Sequence, residues 1–159
     1  MKSLSLFRHA KTERDSPSGR DFDRALTKHG MRDAEHMGGE IRRQGLGFDL
    51  ILASPARRSV ETLERANLQA ANYDDRIYDA EASRLLEITR GVDDGVDRLM
   101  MVGHNPGFEQ LASRLVGDDL EMATGSLIEI ELLVDRWRDV EKGSGRQVRF
   151  IRPKNPISQ

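Results

Sequence analysis

Cationic side chains and imidazoles follow three apolar stretches of the sequence, at the positions where predicted β-strands end. Arg8-His9 follows the first stretch, Arg57-Arg58 comes shortly after the second, and His104 follows the third. Arginine donates paired hydrogen bonds to phosphate-type anions, and an unprotonated imidazole is a nucleophile. These residue types together suggest that the protein binds a tetrahedral anion and attacks it.

The elements that must position these residues alternate between strand and helix patterns. We predict strands at 4–7, 49–53, 76–78, 98–102, 128–134 and 148–150, and helices at 28–44, 54–71, 82–89 and 108–115. Thr27 is the expected N-cap of the first helix, and Ser54 with Pro55 is expected to begin the second. The pattern predicts an α/β three-layer sandwich within a single domain at 1–159. Its mostly parallel sheet carries helices on both faces and ends in an antiparallel C-terminal strand pair.

Parallel strands of an α/β sheet end at a shared edge, which is where ligands usually bind. The three segments should therefore meet there, together with the N-termini of two predicted helices, whose N–H groups favour an anion. The sequence contains no glycine-rich phosphate loop and no carboxylate cluster for Mg²⁺, which argues against nucleotide binding. A phosphate monoester or a phosphoramidate fits this edge better.

The two neighbouring arginines differ in how well a purely structural role explains them. Arg57 can form an ion pair with Glu61, four residues later on the same helix. Arg58 lacks such an explanation, and a cation is disfavoured at a helix N-terminus unless an anion is bound nearby.

The composition excludes several classes of function. The 25 Lys and Arg residues balance 27 Asp and Glu residues, so we expect neither a nucleic-acid-binding nor a membrane-binding surface. The absence of cysteine excludes disulfides, thiolate metal sites and cysteine nucleophiles. His29 and His36 are spaced wrongly to bind one metal ion, so we predict no metal site. Because the N-terminus lacks a signal-peptide pattern and no long apolar run is present, we expect a cytoplasmic protein.

Four short motifs occur in a recognisable order, and the resemblance that they carry extends over nearly the whole chain. They are Arg8-His9-Ala10, Arg24-Ala25-Leu26-Thr27 with Gly30, Ser54-Pro55-Ala56-Arg57-Arg58-Ser59-Val60-Glu61-Thr62, and Val102-Gly103-His104-Asn105-Pro106-Gly107. Through them the chain resembles the histidine phosphatase superfamily, which is phosphoglycerate mutase-like. Within it, the chain resembles the small phosphohistidine phosphatases that act on phosphorylated proteins.

The resemblance implies a role for each matching residue. His9 would be the nucleophile that forms a covalent phosphohistidine, and Arg8, Arg58 and His104 would neutralise the phosphoryl oxygens, with no cofactor or metal. Further substrate-binding residues are Arg24, Thr12, Ser54 and Asn105. The sequence leaves open whether Arg24, Ser54 and Asn105 touch the phosphate or only brace the loops that do.

The chain departs from the family pattern in two places. Ala25 replaces a proline that the family often has, which could loosen the loop that carries Arg24. The insertion that carries the general acid in mutase-like relatives is short here, and only Glu81 is available. Glu81 is more simply explained as a solvated residue at a helix start. A short insertion would leave the site open enough for a histidine on a protein surface.

The leading interpretation is therefore a metal-independent phosphatase acting on phosphohistidine in a protein, such as a phosphocarrier or phosphotransfer domain. A second interpretation keeps the chemistry and changes the substrate to a small phosphate ester. A third is a binding module that recognises phosphorylated partners without turnover. In each case the pocket would accept phosphate- or sulfate-type anions.

Overall fold

A computed structural model of the protein describes residues 1–153. The strands are β1 (Lys2–Arg8), β2 (Leu50–Ala53), β3 (Asn72–Tyr73), β4 (Arg98–Gly103), β5 (Leu127–Leu132) and β6 (Gly145–Ile151). The helices are α1 (Lys28–Arg43), α2 (Arg57–Ala66), α3 (Ala82–Arg90) and α4 (Gly107–Val116). Short 3₁₀ turns lie at Asp21–Asp23, Asp75–Ile77 and Trp137–Asp139. In this part of the chain, no helix has the length and apolar character needed to span a membrane.

The six strands form one sheet in the order β3-β2-β4-β1-β5-β6. The first four of these are mutually parallel, whereas β5 runs antiparallel to β1 and β6 antiparallel to β5. The central strand β4 is buried from Leu99 onward, which explains its uninterrupted apolar sequence. The predicted mostly parallel sheet with an antiparallel C-terminal strand pair is confirmed.

Helices cover both faces of this sheet. On one face, buried residues of α1 and α2 form a cluster with strand residues: Met37, Ile41, Leu63, Ala66, Phe7, Ile51 and Met100. On the other face, buried residues of α3 and α4 form the larger cluster with the opposite sides of the strands: Leu85, Leu86, Leu111, Leu115, Leu4, Leu6 and Ile130. The predicted three-layer arrangement is therefore confirmed.

The first helix begins as its sequence predicts. The Thr27 hydroxyl accepts a hydrogen bond from the Gly30 N–H at 2.9 Å, which satisfies one of the free donors of the first turn. A Cβ on Gly30 would collide with the carbonyl oxygen of Lys11. The motif glycine therefore lets α1 lie directly against the segment that follows His9.

Two sequence-based boundaries are wrong. The second helix begins at Arg57 rather than Ser54, because the Ser54 hydroxyl bonds to His104 and to the Ala56 N–H, and Ala56 is the N-cap. It ends at Ala66 rather than near 71, since Asn67 adopts a left-handed conformation with φ of 54°.

The predicted strand at 76–78 is also wrong. Residues 75–77 form a 3₁₀ turn, because the Asp74 carboxylate accepts a hydrogen bond from the Arg76 N–H and caps it. The edge strand of the sheet is instead Asn72–Tyr73, which pairs with the end of β2. This turn matters for the site because it leads directly into Tyr78.

Close packing of α1 on α2 generates a stability prediction. A Cβ added at Gly38 would overlap the Ala66 carbonyl oxygen, whereas Gly39 has open space around it. We expect Gly38→Ala to lower the free energy of unfolding by about 1–3 kcal/mol through overpacking. Gly39→Ala, the matched control, should raise it by about 0.5–1 kcal/mol because alanine loses less backbone entropy. Urea denaturation measures both values, and equal effects would contradict this account of the helix contact.

Candidate active site

The site begins with the register of three neighbouring strands. β4 lies between β2 and β1, and Arg8 is opposite Gly103 in the β1–β4 pairing. Past the last pair, the His9 N–H donates to the Gly103 carbonyl at 3.0 Å. The Ser54 N–H likewise donates to the Val102 carbonyl at 3.0 Å. His9 and Ser54, the residues that directly follow β1 and β2, thus lie at the edge of the sheet where β4 ends.

His9 is a buried imidazole with a defined tautomer. Its Nδ1 lies 2.7 Å from the carbonyl oxygen of Ala10, which can only accept, so Nδ1 carries the proton and Nε2 the lone pair. The pKa of His9 is lowered to about 3, mainly by burial. The hydrogen bond to Ala10 opposes this shift, and the charges of His104, Arg58 and Arg8 contribute to it. The ring is therefore neutral near pH 7, and its Nε2 is free to act as a nucleophile.

His104 lies beside His9, with the two ring centroids 5.2 Å apart. Its Nε2 is 2.7 Å from the buried Ser54 hydroxyl, and its Nδ1 is buried without a hydrogen-bond partner in residues 1–153. Burial lowers the pKa of His104 to about 3, with the Arg58 charge as the next cause. The ring therefore keeps one unused hydrogen-bonding position at the site.

Arg8, which is partly buried, and Arg58, which is buried, complete the cationic part of the site. Arg8 Nη1 donates to the Met122 carbonyl at 2.8 Å, and its Nε is buried without a partner in the described part of the chain. Arg58, in the first turn of α2, is 7% exposed. Arg57 instead pairs with Glu61 at 3.0 Å and is about half exposed, as the i,i+4 spacing predicts.

Comparison with known proteins decides the family. Residues 4–98 match the model of the histidine phosphatase superfamily (branch 1). The chain belongs to this superfamily. An uncharacterized protein of Mycobacterium tuberculosis is 33% identical over an alignment that covers 92% of this chain and 99% of that one.

Solved structures agree with the fold of this histidine phosphatase superfamily member. A putative phosphohistidine phosphatase SixA from Agrobacterium tumefaciens has a TM-score of 0.81 at 28% identity, covering 96% of this chain and 98% of that one. A putative phosphohistidine phosphatase SixA from Nakamurella multipartitia has a TM-score of 0.86 at 24% identity, covering 96% of each chain. The second comparison shows likeness of fold alone.

In this superfamily member, Arg24 and Thr12 hold the long loop between β1 and α1. Arg24 donates to the Thr12 hydroxyl at 2.6 Å, to the Glu13 carbonyl at 2.8 Å and to the Asp21 carboxylate at 3.0 Å. These contacts use all three of its side-chain nitrogens. The structure therefore gives both predicted substrate-binding residues a bracing role in the loop.

Asn105 braces the loop between α4 and β5, on the other side of the site. Its amide nitrogen donates to the Met122 carbonyl and to the Glu109 carboxylate, each at 2.9 Å, and its oxygen accepts from the Glu109 N–H at 3.1 Å. Met122 is also the carbonyl that binds Arg8. Asn105 thus supports Arg8 indirectly, and Ser54 likewise orients His104.

Sequence reasoning missed two residues that contact the site. The Asp21 carboxylate and backbone carbonyl both accept hydrogen bonds from Arg58, and Tyr78 donates its hydroxyl to the same carboxylate. The Tyr78 ring also packs edge-on against His104, with centroids 5.7 Å apart. Asp21 lies in a polar loop with several similar residues, so no local pattern distinguishes it.

The structure gives Glu81 no contact that favours catalysis. It is the exposed N-cap residue of α3 and makes no side-chain capping hydrogen bond. Within residues 1–153, no group of three or more His, Cys, Asp or Glu side chains is arranged to hold a metal ion.

The lowered pKa values of His9 and His104 generate a pH prediction. We expect both rings to remain neutral down to pH 5, because burial disfavours the imidazolium. Ring ¹⁵N NMR, assigned with His9→Asn and His104→Asn, measures this directly.

The same shifts predict how stability depends on pH, because the unfolded chain protonates these rings below a pH of about 6.5. The free energy of unfolding should therefore fall as pH drops from about 6.5 toward 3. A ring that titrates near its unperturbed pKa would contradict the prediction.

Proposed function

We propose that the protein is a metal-independent phosphatase that forms a covalent phosphohistidine at His9 and acts on phosphohistidine in a protein. A phosphocarrier or a phosphotransfer domain is the expected kind of substrate. The observation that carries the proposal is the neutral, buried His9 ring, whose Nδ1–H is held by Ala10. A nucleophile needs this protonation state, and the adjacent arginines and His104 provide donors for a phosphoryl group.

The reaction proceeds in two displacements at phosphorus. His9 Nε2 forms a bond to phosphorus while the P–N bond of the substrate breaks, and the released imidazole takes up a proton. Water then attacks the phosphohistidine, which releases inorganic phosphate and returns neutral His9. Each step has a loose transition state whose negative charge is spread over the phosphoryl oxygens.

The side chains of Arg8, Arg58 and His104 are placed to offset that negative charge. Arg8 and Arg58 are close enough for each to lower the pKa of His9, so both act on the same small volume. Approach of a phosphoryl dianion raises the pKa of His104, because a nearby negative charge favours the imidazolium. His104 Nδ1 and Arg8 Nε have no hydrogen-bond partner within residues 1–153, so neither atom is already bound to another group of the described chain.

Two observations support phosphohistidine over a phosphate ester. The chain is 28% identical to a putative phosphohistidine phosphatase over nearly its full length. In addition, Glu81, the available carboxylate in the short insertion, is exposed and is oriented by no capping contact. A phosphoramidate has a more labile bond than an ester, so its cleavage depends less on a general acid.

The nucleophile is tested with ³²P-labelled phosphohistidine protein, in the presence of EDTA. We expect wild type to remove the label through a transient, acid-labile ³²P-protein intermediate. His9→Ala should abolish both turnover and the intermediate, because the proposal makes His9 Nε2 the atom that accepts the phosphoryl group. His36→Ala, a histidine on the outer part of α1, is the matched control and should retain activity.

Three other outcomes of that experiment would overturn parts of the proposal. Cleavage of small phosphate esters without loss of label from the protein would favour the ester substrate. Phosphate binding without a covalent intermediate would favour a binding module. Full activity of His9→Ala would exclude His9 as the nucleophile.

Charge stabilisation is tested by comparing the two neighbouring arginines. Arg58→Ala should lower kcat by about 10²–10³, the usual loss when a donor to the transition state is removed. Arg57→Ala should change kcat little, because Arg57 is exposed and paired with Glu61. Equal effects of the two substitutions in the same steady-state assay would contradict the assignment.

A further inference from the structure

We infer that Asp21 is the positioning residue of this site: it holds the Arg58 guanidinium in place for the phosphoryl group. The inference rests on the proposed function only in assuming that Arg58 binds a phosphoryl group. Asp21 lies in the short 3₁₀ turn Asp21–Asp23, within the loop between β1 and α1. Its carboxylate reaches across to the Arg58 guanidinium of α2.

Donors from three separate segments converge on this one residue. Arg58 Nη2 and the Tyr78 hydroxyl donate to Oδ2 at 2.9 and 2.7 Å, and Arg24 Nη1 donates to Oδ1 at 3.0 Å. Arg58 Nη1 also donates to the Asp21 backbone carbonyl at 2.8 Å. Burial raises the pKa of Asp21, but the hydrogen bonds from Tyr78, Arg24 and Arg58 outweigh it and hold that pKa well below its usual value.

Contact with Asp21 leaves part of Arg58 free for a ligand. The guanidinium has five N–H donors, and the two bonds to Asp21 occupy one on each terminal nitrogen. Within residues 1–153, the Nε–H and the second hydrogen of each terminal nitrogen have no hydrogen-bond partner. Asp21 therefore binds one edge of the group and leaves the remaining donors for the phosphoryl oxygens.

Arg58 needs such a partner because its surroundings are cationic. The charges of Arg8 and Arg58 oppose each other, and each also lowers the pKa of His9. A flexible arginine in this setting would turn away from Arg8 toward solvent. The bidentate contact with Asp21 opposes that movement and reduces the rotamer entropy lost when a phosphoryl group binds.

Tyr78 and Arg24 hold the carboxylate itself. Tyr78 follows the turn at Asp75–Ile77, and its ring packs edge-on against both Phe22 and His104. Arg24 links the same carboxylate to Thr12 and Glu13. The loop between β1 and α1 is thereby connected to Arg58 through one side chain.

Asp21→Asn tests the inference through binding of inorganic phosphate, measured by calorimetry. The amide replaces one acceptor oxygen by an NH₂ group, so at least one of the three donors faces another donor. We expect phosphate to bind about tenfold more weakly and kcat to fall by a similar factor, because one charge-assisted contact commonly contributes this much. Asp23→Asn is the matched control on the same turn, since within residues 1–153 the Asp23 carboxylate accepts only from the exposed Ser18 hydroxyl.

A double-mutant cycle separates positioning from a general structural role. In an Arg58→Ala background, Asp21→Asn should cause no further loss of phosphate binding, because Asp21 acts through Arg58. Asp21→Glu, which keeps the charge, should recover part of the loss. Melting temperatures of the variants, measured in parallel, should remain close to that of wild type because the Asp21 side chain is 51% exposed.

The alternative is that Asp21 competes with phosphate for Arg58. Tighter or unchanged phosphate binding by Asp21→Asn would overturn the inference, as would additive losses in the double mutant. Phosphate binding by wild type without any cleavage of phosphohistidine would overturn the proposed function and leave this test intact. Failure of wild type to bind phosphate would overturn both.

Discussion

The position of β4 between β1 and β2 is the constraint on which the site depends. Parallel pairing gives each strand the same direction, and the observed register ends all three strands at one level of the sheet. The residue after each last pair then leaves the sheet at the same edge. His9, Ser54 and His104 are neighbours for this reason, although about fifty residues separate each from the next.

Such an edge gathers positive charge in a buried volume, and the structure accommodates it in several ways. The two imidazoles are neutral, because burial and the nearby arginines disfavour their protonated forms. Arg8 donates to a backbone carbonyl, and Arg58 is bound by a carboxylate. Arg8 Nε and His104 Nδ1 lack hydrogen-bond partners among residues 1–153. A phosphoryl dianion bound at this edge would offset the positive charge of the two arginines.

The motif residues divide into those that face the site and those that support it. Arg24, Ser54 and Asn105 use their polar atoms to bind loops or to orient other motif residues. A bracing residue is restricted in type as strictly as one that binds substrate, since its hydrogen bonds have fixed donors and acceptors. A sequence motif therefore marks the site without showing which of its members touch the ligand.

The sequence by itself determined most of the element types, the three-layer architecture and the meeting of the imidazoles and arginines, because apolar periodicity and strand-to-helix order are local properties. The turn at 75–77, where the sequence predicted a strand, is the exception. The sequence also distinguished Arg58 from Arg57, because the ion pair of Arg57 with Glu61 lies within one helix and follows from the i,i+4 spacing alone. Only the tertiary structure decided the start of α2 and the place of Asp21. Both depend on hydrogen bonds between segments distant in sequence: Ser54 with His104, and Asp21 with Arg58. No local pattern encodes such bonds, since their geometry exists only after the sheet has brought the segments together.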